Sequence, residues 1–327
     1  MANIFREEDA TLEPLEGKTI AVLGYGNQGR SQALNLRDSG MKVVVGNADD
    51  DYSAQAREDG FEPTTIGEAA KLGDIVLSLL PDEVTPAIYR EQIRGNLVAG
   101  NTLVFASGYC VAYNQIEFPK DINVVMVAPR TMGEVVREYY ERGLGFLSMV
   151  SVHQDVDGKA WDTTLALAKA IGSLRDMAIE TSFKDETELD LFTEQALIPA
   201  IAIALKTAVE ILLEAGYDKI EAGLEMYLSG ELGDVLRKAG ERGFVGQSNL
   251  HSPTSHYGTK SRLDRFDALG MRPVMEKILA EVQSGEFARE WSAEQVAGYP
   301  YFNKLKQDFE KTAFAKAEQE ILKEIRG

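Results

Sequence analysis

The chain has one cysteine, Cys110, in 327 residues. That excludes an internal disulfide and a cysteine-built zinc cluster, and it fits a reducing compartment. Uninterrupted apolar runs are short. None reaches the roughly 18 residues that a membrane span needs, so no membrane partner is expected. The opening stretch, MANIFREEDATLEPLEGK, carries acids early and lacks an apolar block before a small-residue cleavage site. No secretory signal is expected there, and a cytoplasmic location follows as the expectation. Positive charge is scarce too: 34 basic residues stand against 52 acidic ones, for a formal net charge of −18. Such a surface repels phosphate backbones and anionic lipid heads, which argues against nucleic acid as a partner. Internal repeats, low-complexity tracts and Gly/Ser linkers are also missing, so a domain junction should be packed rather than tethered.

What is present describes a globular protein with 44 % apolar and 26 % charged residues. The length exceeds what one core usually supports, so two domains are expected. In the first half, short apolar runs (TIAVLG, KVVVG, DIVLSLL, TLVFA, NVVMVA, GFLSMVSV and DMAIE) alternate with amphipathic stretches. This texture predicts an α/β domain over residues 1–182, a doubly wound sheet of parallel strands covered on both faces. After residue 182 the pattern turns helical, with long stretches at Glu186–Ala215, Lys219–Ala239 and Tyr301–Ile325. Residues 183–327 are therefore expected to form an all-helical domain.

The clearest motif follows the first long apolar run, where Gly24, Gly26 and Gly29 stand in the G-x-G-x-x-G spacing of GYGNQG. The first glycine suits a tight turn, the second lets backbone approach a pyrophosphate, and the third lets the next helix pack closely. That helix turns its positive end toward phosphate. Gly24, Tyr25, Gly26, Asn27, Gln28 and Gly29 are the candidate phosphate-binding turn, the alternative being glycines that serve packing alone. The second apolar run ends in GNADDDYSAQ, with Asn47, Asp49, Asp50 and Asp51 and no cation before Arg57. A free ribose 2′-hydroxyl suits these acids, whereas a 2′-phosphate is repelled by them, so NADH is favoured over NADPH. A solvated acidic turn is the alternative.

The stretch FKDETELDLFTEQ gathers five acids in thirteen residues. Glu186, Asp190 and Glu194 fall at i, i+4 and i+8, and the same stripe continues through apolar Leu197 and Ile201, which suggests an inward face. Buried carboxylates need a partner, and a hard divalent cation such as Mg²⁺ suits them. The alternative is that acids simply favour a helix N-terminus.

GYGNQGRSQALNLRDSG, LLPDE, MVAP, VHQD and FKDETELDLFTEQA, in this order, closely resemble the ketol-acid reductoisomerase family from about Glu16 to Tyr217. The resemblance implies a Rossmann-type nicotinamide-binding domain and a knotted helical domain that pairs with a second subunit and holds two magnesium ions. It also implies alkyl migration within an acetohydroxy acid, then hydride reduction, in branched-chain amino acid synthesis. Pro81, Asp82, Ser107 and Gly133 join the cofactor set on this ground, and Asp190 and Glu194 fall on the family's metal ligands. A further E-x-x-x-E pair of that family falls on Glu225 and Ser229, so one ligand is lost; Glu221 or Glu231 are possible replacements. One good magnesium site and one weak or absent site are expected.

Other departures cluster at the chemistry. Ser107 stands where the family has a histidine, Arg130 where it has a lysine and Glu134 where it has another histidine. SPTSHYG resembles the family's SNTAEYG, keeping Ser252, which would contact the substrate's tail, and introducing His256, a possible proton donor that is more readily a structural histidine. Serine has no group titrating near neutrality, and arginine hardly gives up a proton. Hydride transfer needs fewer groups than alkyl migration. Three readings follow. The first is an NADH-dependent reductase of a small 2-keto or imino acid, in which Arg130 grips the carboxylate and Asp190 and Glu194 hold magnesium. The second is a working reductoisomerase with a rebuilt site, and the third a noncatalytic nucleotide-binding subunit. The apolar helix around ALIPAIAIAL predicts a homodimer or larger homo-oligomer.

Overall fold

The structure, a computed structural model, describes residues 2–326. The chain divides into two compact units, the first ending at Leu189 and the second beginning at Asp190. The boundary expected after residue 182 lies at the start of the helix Phe183–Phe192, and the division itself falls within that helix.

The first unit is built on one eight-stranded sheet. Its strands are β1 (Ile4–Phe5), β2 (Thr19–Leu23), β3 (Lys42–Gly46), β4 (Ile75–Ser78), β5 (Thr102–Phe105), β6 (Asn123–Pro129), β7 (Ser148–Gln154) and β8 (Ala178–Glu180). In space they run β1-β8-β7-β6-β5-β4-β2-β3. Strands β3, β2, β4, β5 and β6 are parallel. Every residue of β2, β4, β5 and β6 is buried, which is why these strands read as continuous apolar runs rather than alternating ones. The wholly parallel sheet expected from the sequence needs correction beyond β6. Strand β7 is antiparallel to β6, with Ser148 beside Pro129, and β1 is antiparallel to β8. The chain leaves β6, forms the helix Gly133–Glu141 and re-enters at the same end, so no crossover carries it back. An apolar run reports burial on both faces and carries no sign of direction.

The chain order reverses between β3 and β4, which lie on opposite sides of β2. In open α/β sheets such a switch point opens a crevice at the carboxyl ends of the strands. The helix Asn27–Asp38 starts at that crevice and buries Ala33, Leu34 and Leu36. On the far side of β2, the helix Ile66–Leu72 is started by a capping box in which Thr65 and Glu68 exchange bonds, satisfying two otherwise orphaned N–H groups.

The second unit is helical. The helix from Phe183 runs on to Glu214, but at Thr193–Leu197 it widens into a π turn ahead of Pro199. Proline lacks the N–H of the regular ladder and crowds the carbonyl four residues back, and an inserted residue relieves both. This turn interrupts the inward stripe expected from i, i+4 spacing: Glu194 and Leu197 are exposed. The helix expected over Lys219–Ala239 is two pieces. Lys219–Gly223 leads into a second π turn, Leu224–Leu228, and Gly230, at φ 88°, turns the chain before Glu231–Ser248. The stretch expected over Tyr301–Ile325 is likewise split into Pro300–Glu310 and Ala313–Arg326. Helices at Pro253–Lys260, Met271–Gln283 and Glu286–Val296 lacked a clear sequence signal.

Phe183–Glu214 is long and apolar enough to cross a membrane by length and composition alone. Counting uninterrupted apolar residues missed it, because single polar residues break the run without making the window polar.

Candidate cofactor and active site

Strand β2 delivers the chain into the glycine turn with Gly24 at φ 91°, a left-handed value that side chains rarely adopt. A Cβ there would lie 2.9 Å from the Leu79 carbonyl oxygen, and one on Gly29 would lie 1.9 Å from that of Gly24. Both glycines are therefore demanded by the protein's own backbone. Gly26 differs, since nothing lies within 4 Å of where its Cβ would be. The fold does not need glycine at that position, but a ligand pressed against the backbone does. This open cradle beside a helix N-terminus fits a dinucleotide pyrophosphate.

Around the turn the side chains are bound to the scaffold. The Tyr25 N–H donates to Asn47 Oδ1 at 3.0 Å, and its buried phenol donates to Asp59 Oδ2 at 3.0 Å. Burial, with Asp59 beside it, pushes the Tyr25 phenol well above its ordinary pKa. Arg30 grips the same carboxylate with two bonds, 2.6 and 2.9 Å, which holds Asp59 below the usual carboxylate range. Gln28 Nε2 donates to the Thr131 carbonyl at 2.9 Å, and a Cβ on Gly133 would strike the Asn27 carbonyl at 2.1 Å. The loop after β6 is thereby locked onto the phosphate turn.

A cavity of about 600 Å³ borders this turn, walled by Gly26, Asn27, Asp51 and Tyr52 on one side and by Glu134 and Glu138 on the other. Its two cations are already committed, Arg30 to Asp59 and Arg137 to Asp38 and Glu141. Of the acids beyond β3, Asp50 is the N-cap of Asp51–Glu58, accepting from the Tyr52 and Ser53 N–H groups and from Asn47. Asp49 and Asp51 are exposed at the loop. A second, smaller cavity of about 180 Å³ lies at the ends of β4 and β5, lined by Gln28, Pro81, Asp82 and Ser107 among others. Ser107 Oγ donates to Asp82 Oδ2 at 3.3 Å, and Pro81 offers its carbonyl to the Thr85 hydroxyl at 2.8 Å.

Arg130, at the end of β6, donates through NH1 to Glu186 Oε1 at 2.7 Å; the carboxylate is 1 % exposed and the guanidinium group's side chain 24 %. The other oxygen of Glu186 accepts from the Gly108 N–H at 2.7 Å. Gly108 is forced by closeness, since a Cβ on it would lie 2.2 Å from the Phe183 carbonyl. Glu186, grouped by spacing with Asp190 and Glu194, thus ties the loops after β5 and β6 together. Sequence reasoning also missed Asp59, whose partners Tyr25 and Arg30 lie far back in the chain.

In the second unit, Glu194 belongs to the first π turn and Glu225 to the second. Among the described residues of the single chain, no three or more His, Cys, Asp or Glu side chains gather as a metal site. Asp190, Glu194 and Glu225 do not by themselves form a magnesium cage, and no chemistry is routed through one here. Ser252 caps the helix Pro253–Lys260 by accepting from the Ser255 N–H at 3.2 Å. His256 shares a hydrogen bond with Ser248 Oγ at 3.3 Å, as a structural histidine does.

The family model described as acetohydroxy acid isomeroreductase, NADPH-binding domain, matches residues 14–176, and that described as ketol-acid reductoisomerase, C-terminal domain, matches residues 183–326. The chain belongs to the ketol-acid reductoisomerase family. It is 42 % identical over 325 residues to the ketol-acid reductoisomerase (NADP(+)) of Methanopyrus kandleri, covering 99 % of this chain and 98 % of that one. A putative ketol-acid reductoisomerase 3 of Saccharolobus solfataricus is 42 % identical over 322 residues, 97 % of each chain. Among solved structures, an NADH-preferring ketol-acid reductoisomerase from an uncultured archean superposes with a TM-score of 0.93, at 34 % identity and 98 % coverage of both chains. Family membership accounts for the Rossmann-type first unit followed by helices.

Proposed function

We propose that this member of the family is an NADH-dependent reductase of a small 2-keto or imino acid in which the alkyl-migration step is weakened or lost. The observation that carries the reading is the 2.7 Å bond between Arg130 and buried Glu186. Arg130 is already paired with a buried carboxylate, and Ser107 has no group that exchanges a proton near neutral pH. Arg130 remains partly exposed, with its side chain 24 % accessible, and a planar guanidinium suits a substrate carboxylate. Reduction needs an oriented nicotinamide, a polarised carbonyl and a proton, and is less demanding than moving carbon between neighbours.

The cofactor preference rests on Asp49 and Asp51, exposed where a 2′-phosphate would lie, and on the committed state of Arg30 and Arg137. The NADH-preferring relative supports it, whereas the relative from Methanopyrus is named for NADP(+). In the second unit we assign Asp190, Glu194 and Glu225 to magnesium and Ser252 to the substrate's tail. Exposed Ile198, Ile203 and Ile211 on one long helix suit a homodimer face better than a lipid one, and we place the protein in the cytoplasm.

The test follows NADH consumption with 2-acetolactate, with its rearranged 3-hydroxy-2-keto product and with pyruvate, each with and without magnesium. Turnover of the rearranged compound or pyruvate, but not of acetolactate, is the expected result. The second reading, a complete reductoisomerase with a rebuilt site, is favoured by 42 % identity across nearly the whole chain. Magnesium-dependent conversion of acetolactate at a rate matching the rearranged compound would establish it and overturn the first.

A further inference from the structure

The strand order fixes which half of a dinucleotide lies where. The glycine turn follows β2, and the acidic loop that suits the adenosine ribose follows β3, on one side of it. The other half must cross to the opposite side, over the carboxyl ends of β4 and β5. The 180 Å³ cavity lies there, and Asp82 is the acid on its wall.

Asp82 is held in place from the β5 side by two donors. Ser107 Oγ approaches Oδ2 at 3.3 Å, while the Cys110 thiol lies 3.5 Å from the Asp82 carbonyl oxygen and 3.9 Å from Oδ1. Burial, and then the nearby Asp82 charge, push the thiol pKa well up, so Cys110 keeps its proton and offers it to Asp82. Ser107 is itself steadied by accepting from the Tyr109 N–H at 3.3 Å. These contacts fix where the Asp82 side chain stands on the cavity wall. A fixed negative charge at the nicotinamide end distinguishes the two redox states of the cofactor, because the reduced ring is neutral and the oxidised ring is cationic.

We propose that the Asp82 carboxylate sets the balance between oxidised and reduced cofactor, favouring the cationic ring and so promoting departure of hydride. The inference rests on the nicotinamide reading above and assigns a charge-specific role within it. In the reduction, hydride passes with its electron pair from ring C4 to the substrate carbonyl carbon. The carbonyl oxygen takes a proton from water, and the ring is left with one positive charge, which Asp82 opposes. Had Asp82 only a structural role, its shape and hydrogen bonds would matter and its charge would not.

Binding without substrate separates these cases. NADH and NAD⁺ are titrated separately by calorimetry into the intact wild-type protein, Asp82→Asn and Asp82→Glu, with thermal unfolding measured for each. The ratio Kd(NAD⁺)/Kd(NADH) is expected to rise about tenfold in Asp82→Asn, the size expected for unit charges several ångströms apart at a partly exposed site. Asp82→Glu is expected to keep the wild-type ratio within about twofold. Ser107→Ala, which removes a donor and keeps the charge, should also leave the ratio near wild type and gives an arm that does not depend on the Asn variant folding. An unchanged ratio in a folded Asp82→Asn overturns the proposal, as does a Ser107→Ala shift as large as that expected for loss of the charge. If the wild-type protein binds neither nucleotide, the cofactor reading itself fails and takes this one with it, an outcome distinct from binding with an unshifted ratio.

Discussion

Replacing Glu186 by glutamine tests whether the Arg130 pair organises the first unit. The carboxylate is 1 % exposed and takes one 2.7 Å bond from Arg130 and another from the Gly108 N–H. Glutamine fits the same space and still offers an oxygen to Gly108, but that bond loses its charge assistance, and Arg130 loses its counter-charge. Breaking a fully buried pair costs about 3–5 kcal/mol. Arg130 is 24 % exposed and regains some water, so the expected cost is lower, roughly 2–3 kcal/mol. The two tryptophans lie in different units, Trp161 in the first and Trp291 in the second. In a Trp291→Phe background, urea unfolding followed by tryptophan fluorescence therefore reports the unit that holds the pair. Glu141→Gln serves as control, because its bond to Arg137 lies at the surface with the glutamate 59 % exposed and should be worth no more than about 1 kcal/mol. A double-mutant cycle of Glu186→Gln with Arg130→Met should give a coupling of at least ~1 kcal/mol. If Glu186→Gln costs less than about 0.5 kcal/mol, or the cycle shows no coupling, the pair is incidental and the argument that Arg130 is preoccupied collapses.

The two glycines of the turn should part company. Gly26→Ala is expected to fold with wild-type stability, since its Cβ meets nothing within 4 Å, yet to weaken NADH binding at least about tenfold as the methyl displaces the pyrophosphate. Gly29→Ala, whose Cβ would lie 1.9 Å from a carbonyl oxygen, should lower the melting temperature sharply as well; equal melting of the two variants refutes this. Asp59→Asn frees Arg30 from its paired bonds and should improve NADPH binding relative to NADH several-fold, at about 1 kcal/mol of stability; calorimetry with both cofactors reads the first effect and urea unfolding the second. The Cys110 thiol, whose folded pKa burial raises above its ordinary value near 9, contributes stability that is fully present below that value and declines as pH rises through it. At pH 9.5 the expected loss is ~0.8 kcal/mol, and it should vanish in Cys110→Ala; identical pH profiles of the two proteins rule it out.

The parts of the fold legible in the sequence were those in which one physical demand acts on neighbouring residues. TIAVL, IVLS and TLVF read as buried strands because both faces of each are covered, and GYGNQG read as a tight strand-to-helix turn because Gly29 must pass close to the Gly24 carbonyl five residues back. Strand direction was not legible: SMVSVHQ is as apolar in an antiparallel pair as in a parallel one. Helix register was lost at Pro199 and Gly230, where the backbone departs from 3.6 residues per turn and an i, i+4 stripe stops describing one face. Glu186 was misgrouped for a related reason. Spacing placed it with Asp190 and Glu194, whereas its partners, Arg130 and Gly108, are 56 and 78 residues earlier and leave no local trace.

The same contrast separates the two halves of the chemistry. The dinucleotide cradle is complete within the first unit: its glycines are fixed by backbone contacts, Tyr25 and Arg30 by Asp59, and the loop after β6 by Gln28. The second unit leaves Ile198, Ile203 and Ile211 more than half exposed, and no three metal-binding side chains assemble among the chain's described residues. Apolar surface of that extent on one helix calls for covering. A second copy that covered it could also bring carboxylates that one chain does not gather. On the proposed reading, cofactor binding draws on contacts within the first unit, and a magnesium-dependent step would draw on carboxylates of the second. Loss of the second function can, on that reading, leave the first intact, because the two draw on different units of the chain.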